Sequence, residues 1–268
     1  MGLSEAQMKN YRKWFKEYCK SFTKLTSQQS LKIELKIKHS YKVAECIEEI
    51  GDSIGLSEQD KRIAEFIALF HDLGRFEQVR RFDTFSDAES MDHGDYAVEI
   101  LKEFKLLEPL NIETQTIIYK SIKYHNKFKL PLADRNKNQF SEREILFIKL
   151  IRDADKIDIF RVIMETFFDH SKDEANKILI NLRLEDEIST KVFNDFINDK
   201  IISKSDIKYL NDYKILILSW IHDLNFPRTI QLFVEKNYFM SVANTLPDCA
   251  AKTTIIKKIN ETINIHSV

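Results

Sequence analysis

The chain has 268 residues, and its 41 Lys and Arg residues nearly cancel its 42 Asp and Glu residues, for a formal net charge of -1. This balance argues against a nucleic-acid partner and against a polybasic membrane anchor. The three cysteines, Cys19, Cys46 and Cys249, show no paired spacing, which is typical of a reducing compartment. The charged N-terminus shows no apolar leader, and the longest apolar run, 215–221, is too short to span a bilayer. We therefore expect a cytoplasmic protein.

Low glycine and proline content together with helical periodicity predicts an all-α fold. The chain has five Gly and four Pro residues, and apolar residues recur at intervals of three and four in five stretches before residue 126. Ser141 and Glu144 have the spacing of a capping box, so we expect one long helix from Ser141 to about residue 168. Loops are predicted over 73–91 and 126–140, and further helices near 172–181, 184–198, 205–222, 227–236 and 249–264.

Residues with distinctive chemistry are concentrated in the first part of the chain. We expect a metal-binding catalytic domain over residues 1–170, with its core at 30–165, and a C-terminal helical extension over residues 171–268 that packs on it. The extension has no dense pattern of ionisable residues. The sequence carries no signal for the oligomeric state.

Histidine and aspartate residues recur at inward-facing or terminal positions of successive predicted helices. His39 continues an apolar row, His71-Asp72 ends an apolar helix, His93 opens a helix and His125 closes one. Each alone is also typical of a hydrogen-bonded core histidine or a helix-end charge. Neutral imidazole and carboxylate are, however, the ligands of divalent Fe, Mn, Co, Zn and Ni. The ordered set predicts a metal centre, in which Asp72 could bridge two ions.

A last acidic ligand is expected in the long helix that follows. Asp155 continues the apolar row of that helix and should point inward, whereas Asp153 lies on a different face. Solvent exposure or an ion pair with Arg152 or Lys156 is the alternative for Asp153. We prefer Asp155 as the ligand, with Asp153 as its rival. Asp158, about one turn later, could line the same pocket, and either Asp153 or Asp158 could orient a histidine ligand.

A second His-Asp doublet serves as a comparison. His222-Asp223-Leu224 repeats the tripeptide His71-Asp72-Leu73, but no ordered series of further histidines and aspartates follows it. We therefore expect His222 and Asp223 to have no part in metal binding.

The order His, His-Asp, His, His, Asp resembles the HD-domain superfamily of metal-dependent phosphohydrolases over about residues 30–165. His39 matches the first histidine of the family, and His71-Asp72 matches the doublet that names it. Asp155 matches the final aspartate through the run Ala154-Asp155-Lys156. The resemblance implies an HD-domain helical bundle.

The resemblance also implies two divalent ions. His93 and His125 match the two additional histidines of the subgroup that holds two ions, which includes HD-type hydrolases of dinucleoside polyphosphates and of cyclic dinucleotides. In that subgroup pattern one ion is held by His39, His71, Asp72 and Asp155, and the second by His93 and His125, with Asp72 bridging.

The chain departs from one branch of that subgroup. Asn126 stands where cyclic di-GMP phosphodiesterases carry a second adjacent histidine, and their Gly-Tyr-Pro motif is absent. These departures disfavour cyclic di-GMP as the substrate.

Basic residues near the predicted ligands could bind phosphate groups. Arg75 follows the His-Asp doublet, Lys156 follows Asp155, and Lys123 precedes His125 by two residues. We expect a catalytic role for Asp72, Arg75 and Lys156, and substrate contacts from Arg75, Lys123, Lys156 and Asp158. The alternative for each basic residue is a solvated surface charge, and the same alternative holds for Arg80, Arg81 and Lys127.

These residues favour a phosphohydrolase or phosphodiesterase, in which metal-activated water attacks a phosphate ester or anhydride of a small, phosphorylated, nucleotide-like substrate. Two alternatives stay open. One is an HD-type diiron oxygenase, because inositol and organophosphonate oxygenases of this fold have the same ligand order. The other is a non-catalytic nucleotide or metal sensor whose helical extension docks a partner.

Overall fold

A computed structural model describes residues 3–130, 140–168, 183 and 185–266 of the chain. The described residues form an all-α protein without strands, and none of their helices is long and apolar enough to cross a membrane. The chain divides into two compact units, Met1–Asp158 and Ile159–Val268. The domain boundary predicted after residue 170 and the helix predicted at 172–181 lie outside the described residues.

The described part of the first unit is built from helices whose starts carry polar caps. A capping box at Ser4 and another at Thr26 open the first two helices, and Asp92 and Asn111 cap two later ones. The helices are α1 (Glu5–Lys20), α2 (Ser27–Ser53), α3 (Glu58–Phe70), α4 (Leu73–Phe82), α5 (His93–Glu103), α6 (Ile112–Tyr124) and α7 (Glu142–Phe168), of which the last continues into the second unit.

The capping box predicted for the long helix α7 is confirmed. The backbone N–H of Ser141 donates to Glu144 Oε2 at 2.8 Å, and the N–H of Glu144 donates to Ser141 Oγ at 3.2 Å. These two bonds satisfy N–H groups that the start of a helix leaves without intrahelical partners.

The loop predicted over 73–91 is wrong for its first ten residues, which form α4. Leu73, Phe76 and Val79 recur every three residues and are completely buried. Packing of this apolar face outweighs the helix-weakening effect of Gly74. The helix ends at Asp83, which adopts a left-handed conformation with φ 51°. In the other predicted loop, the described residues 126–130 and 140 are not helical.

An aromatic core holds the end of α3, where His71 and Asp72 lie. Phe66 and Phe70 of α3 stack with ring centroids 4.1 Å apart, and Tyr11 of α1 meets Phe66 edge-on at 4.8 Å. Phe15 of α1 packs on Phe70 at 5.6 Å and on Phe76 of α4 at 6.2 Å. Buried rings have few rotamers and a large contact area, so this cluster makes the α3–α4 junction rigid.

Gly74 allows the backbones of α4 and α5 to meet. A Cβ atom at Gly74 would lie 2.2 Å from the carbonyl oxygen of His93, a distance that real Cβ contacts essentially never show. Only glycine therefore permits the approach that places the start of α5 beside the start of α4.

The described part of the second unit is also helical. Phe160, Phe233 and Phe239 are completely or almost completely buried and form its aromatic centre. The helix predicted near 227–236 is confirmed, whereas the one predicted from residue 184 begins only at Thr190. The unit's described helices after α7 are Thr190–Ile197, Leu210–Leu218, Pro227–Glu235, Tyr238–Asn244 and Ala250–His266.

Candidate metal centre

The six predicted ligands come together inside the first unit. They lie in the middle of α2, at the α3–α4 junction, at the start of α5, at the end of α6 and in the middle of α7. Among the described residues, three groups have ligand atoms within 4.8 Å of one another: His39, His71 and Asp72; His71, His125 and Asp155; and Asp72, His93 and His125. Every one of the six predicted ligands belongs to at least one group.

Asp72 lies at the centre of this cluster, and its two oxygens face different histidines. Oδ2 is 3.5 Å from Nε2 of His39 and 3.5 Å from Nε2 of His71. Oδ1 is 3.4 Å from Nε2 of His93 and 3.8 Å from Nε2 of His125. The two oxygens of Asp72 therefore face two separate pairs of histidine nitrogens.

Asp155 completes the side of the cluster that contains His39. Its Oδ1 atom is 3.0 Å from Nε2 of His39 and 3.7 Å from Nε2 of His71. Burial alone would raise the pKa of the Asp155 carboxyl, but the neighbouring His39 and His71 rings hold it well below its usual range. Asp155 is therefore a carboxylate ready to coordinate a cation.

Each of the four histidines has a hydrogen-bond acceptor behind its Nδ1 atom. His39 Nδ1 is 2.7 Å from Asp158 Oδ2, and His93 Nδ1 is 2.7 Å from Asp87 Oδ2. Backbone carbonyls serve the other two: Ala68 O is 2.7 Å from His71 Nδ1, and Ile122 O is 2.6 Å from His125 Nδ1. In the tautomer that carries its proton on Nδ1, each ring donates to its acceptor and directs an Nε2 lone pair into the cluster.

The inward Nε2 atoms have unmet bonding capacity. Nε2 of His39 and Nε2 of His71 are buried without a hydrogen bond of acceptable geometry among the described residues. Nε2 of His93 and Nε2 of His125 are only 3.0 Å apart, although both carry lone pairs. A cation near these two nitrogens would accept a lone pair from each.

A proton is a poor candidate for that cation. Burial lowers the pKa of His93 below its ordinary value, and burial lowers the pKa of His125 to about 3. Both rings are therefore neutral near pH 7. The four converging imidazole rings and two carboxylates fit divalent metal ions instead.

Asp87 is a residue whose role the sequence did not predict. It lies in the short 3-10 turn Asp87–Glu89, and besides His93 it accepts hydrogen bonds from Arg75 Nη1 at 2.8 Å and Gln78 Nε2 at 2.9 Å. Burial would raise its pKa, but the hydrogen bond to His93 lowers it well below the usual range. Asp87 therefore orients His93. Because Gln78 is completely buried, it supports this contact from within the protein.

Asp158 and Asp153 of α7 differ in their relation to the cluster. The contact of Asp158 with His39 Nδ1 puts its carboxylate behind the histidine, in the orienting position that the sequence allowed for it. Asp153 is completely buried, which excludes the alternative of solvent exposure. The ligand groups among the described residues contain Asp155 and not Asp153.

The predicted basic residues lie at varied distances from the cluster. Arg75 is largely buried, with Nε 3.7 Å from Asp72 Oδ1 and Nη1 bonded to the carbonyl of Phe85 at 2.6 Å. Lys156 is buried next to Asp155 in α7. Lys123 is half-exposed and pairs with Asp95 at 3.0 Å. Three others form ion pairs with acidic neighbours: Arg80 and Arg81 with Glu77, and Lys127 with Asp92.

Sequence reasoning missed Lys36. Its Nζ atom lies 2.6 Å from Asp72 Oδ2, the oxygen that faces His39 and His71. Burial would raise the pKa of Asp72, but the positive charge of Lys36 contributes most to holding it well below its usual range. The sequence did contain a sign of this role: Lys36 precedes His39 by three residues, so both side chains lie on the same face of α2.

His222 lies in the second unit and belongs to no ligand group among the described residues. Its Nδ1 atom is 3.2 Å from Asp199 Oδ1, and its ring packs on Phe196 with centroids 5.3 Å apart.

Comparison with known proteins points to the same segment. No curated protein and no solved structure matches the chain. Residues 37–160, which run from within α2 to within α7, match the family model of the HD domain. All six converging ligands lie inside this match. The match and the geometry together support placing residues 37–160 in the HD-domain superfamily, an all-α fold.

Proposed function

We propose that the protein is a metal-dependent phosphohydrolase or phosphodiesterase that holds two divalent ions and hydrolyses a phosphate ester or anhydride of a small nucleotide-like substrate. The observation that carries the proposal is the placement of Asp72. Its two oxygens face two separate pairs of histidine nitrogens, and in all four histidines the atom on that side is Nε2.

The donor set suits Fe, Mn, Co, Ni or Zn, because imidazole nitrogen and carboxylate oxygen are ligands that each of these divalent metals accepts. His39, His71 and Asp155 would hold one ion, His93 and His125 the other, and Asp72 would contribute to both. When bound, such ions polarise a phosphoryl group and lower the pKa of a nearby water. Asp158 and Asp87 keep His39 and His93 in the orientation and tautomer that this role requires.

The charges around the cluster suit an anionic substrate. Lys36 and Arg75 approach the two oxygens of Asp72 from the protein, and Lys156 is buried beside Asp155. Arg75 Nε is buried without a hydrogen-bond partner among the described residues, so this guanidinium retains unused donor capacity. We propose Arg75 and Lys156 as phosphate-binding residues, and Lys123 as a more distant contact that must leave Asp95 to reach a substrate.

The test compares Asp72→Ala with the wild type and with Asp52→Ala. Asp52 is a matched control, because its carboxylate pairs with Lys61 at the surface and lies outside the cluster. Metal content is measured first, and hydrolysis of bis(p-nitrophenyl) phosphate and of a nucleotide panel is then followed with Mn²⁺ or Fe²⁺. We expect Asp72→Ala to lose metal and to lose activity by about 10²-fold or more, while Asp52→Ala keeps both.

Full hydrolytic activity in Asp72→Ala would refute the mechanism. Oxygen uptake is recorded in parallel with reduced iron. Substrate-dependent oxygen consumption without phosphate release would assign the chain to the oxygenase chemistry instead.

A further inference from the structure

Lys36 places its ammonium group beside Asp72, at an oxygen that would coordinate a metal ion. It lies on α2 with its side chain only 15% exposed, and its Nζ atom donates to Asp72 Oδ2 at 2.6 Å. That oxygen lies 3.5 Å from Nε2 of His39 and of His71. The ammonium group therefore neutralises the same oxygen that would coordinate an ion held by these histidines.

Arg75 has an equivalent relation to the other oxygen of Asp72. Its Nε atom is 3.7 Å from Oδ1, which faces His93 and His125. Lys36 Nζ and the Arg75 guanidinium lie 5.4 and 5.8 Å from the centroid of the same ring, Phe85. The Phe85 ring thus lies beside both cations. Lys36 and Arg75 make this side of the cluster positively charged.

The two cations differ in how firmly they are held. Arg75 Nη1 donates to Gln78, to the carbonyl of Phe85 and to Asp87, which fixes its guanidinium. Among the described residues, Lys36 donates one hydrogen bond, to Asp72, and lies near one ring, that of Phe85. An ammonium on a four-carbon stem also reorients more easily than a forked guanidinium. Lys36 is therefore the cation that can move when the charge at Asp72 changes.

Metal binding would change that charge. Without metal, Asp72 is a buried carboxylate that requires a counter-charge, and Lys36 supplies it. A divalent ion at Oδ2 would repel the ammonium across a few ångströms of poorly solvated protein. Lys36 would then favour an anionic oxygen of a bound ligand over Asp72.

We propose that Lys36 is the counter-cation of Asp72 in the metal-free protein and a substrate-binding cation, for an anionic phosphoryl oxygen, in the metal-loaded protein. The exchange links the two ligands: metal releases Lys36 for the anion, and the anion keeps Lys36 away from Asp72. Metal and phosphate therefore bind with positive coupling through this side chain. The inference rests on the proposed function for the identity of the anion.

A role of this kind predicts effects of opposite sign for one substitution. Lys36→Met removes a competitor of the metal, so it should tighten metal binding in the absence of an anion. The same change removes an anion-binding cation, so it should weaken the effect of phosphate on metal affinity. A lysine that merely supported the fold would weaken both when replaced.

The experiment is a calorimetric titration of EDTA-treated protein with Mn²⁺, with and without inorganic phosphate. Lys32→Met is the matched control, because Lys32 lies one turn earlier on α2 and its Nζ pairs with Asp83 Oδ1 at 2.7 Å, outside the cluster. We expect phosphate to tighten Mn²⁺ binding by about fivefold or more in the wild type and in Lys32→Met, and by clearly less in Lys36→Met. In the absence of phosphate, Lys36→Met should bind Mn²⁺ more tightly than either.

Weaker Mn²⁺ binding by Lys36→Met without phosphate, or an undiminished phosphate effect, would overturn the proposal. Circular dichroism checks folding, and Lys36→Gln, whose amide can still donate to Asp72, replaces Lys36→Met in the same titration if the latter does not fold. The titration needs no turnover. A wild type that couples Mn²⁺ to phosphate through Lys36 but hydrolyses nothing would reject the proposed function alone, and hydrolysis without such coupling would reject this inference alone.

Discussion

A methyl group added at Gly74 would lie 2.2 Å from the carbonyl oxygen of His93 and 2.9 Å from its carbonyl carbon. Both contacting atoms are backbone, so rotation of a side chain cannot relieve them. To reach even 3.0 Å from the oxygen, α4 and α5 must separate by about 0.8 Å. Overpacking of this kind typically costs about 1–3 kcal/mol of unfolding free energy, which lowers the melting temperature by about 2–4 °C for each kcal/mol in a domain of this size.

The same displacement acts on the candidate metal centre. His93 opens α5, and its Nε2 atom is 3.4 Å from Asp72 Oδ1 and 3.0 Å from Nε2 of His125. Metal–ligand distances tolerate about 0.2 Å, which is far less than the required movement. We therefore expect Gly74→Ala to lose or greatly weaken one of two Mn²⁺ sites, while the site at His39, His71 and Asp155 is retained.

Calorimetric titration with Mn²⁺ and thermal denaturation measure both effects. Gly51→Ala is the matched control, because the methyl group there would meet only the flexible end of Leu56, at 2.9 Å from Cδ1. Alanine also favours a helix interior over glycine by roughly 0.5–1 kcal/mol, so the control should be close to neutral. Two tight Mn²⁺ equivalents and an unchanged melting temperature in Gly74→Ala would refute the reasoning.

Two further predictions concern the histidines. Asp158→Asn should weaken one class of Mn²⁺ site by about 10–100-fold, because the Asp158 carboxylate orients His39. Asp87→Asn should weaken the other class by a similar factor, because Asp87 orients His93. Calorimetric titrations in which both variants weaken the same class would contradict the assignment. Burial lowers the pKa of His125 from 6.5 to about 3, so only the unfolded chain takes up this proton as the pH falls below about 6.5. In urea titrations of EDTA-treated protein, His125 should therefore add a positive contribution of at most about 1.4 kcal/mol per pH unit to the slope of unfolding free energy against pH, and His125→Asn should lack it. Equal slopes would reject that contribution.

Helical phase predicted the inward direction of two of the residues that converge. His39 and Asp155 continue apolar rows of their helices, and a residue on the buried face of a helix must point to the interior wherever that helix packs. The same reasoning preferred Asp155 to Asp153, and the ligand groups of the described residues contain Asp155. The capping box at Ser141 is equally local, since it involves residues three apart.

Local reasoning failed where burial competes with local propensity. The segment 73–82 was predicted as a loop and contains the helix-weakening Gly74, but its buried face of Leu73, Phe76 and Val79 makes it helical. Asp87 likewise could not be assigned, because its partner His93 is chosen by the path of the turn between α4 and α5.

The sequence by itself determined an all-α chain and the donor atoms available to a metal, because both depend on residue type and on spacing within single helices. Only the tertiary structure decided which oxygen of Asp72 faces which histidines, and that Lys36 and Asp158 complete the cluster. Lys36 lies 36 residues from Asp72, and Asp158 lies 119 residues from His39. Contacts over such separations depend on the packing of whole helices, to which the aromatic core and the close approach at Gly74 contribute, and no periodicity within one helix encodes them.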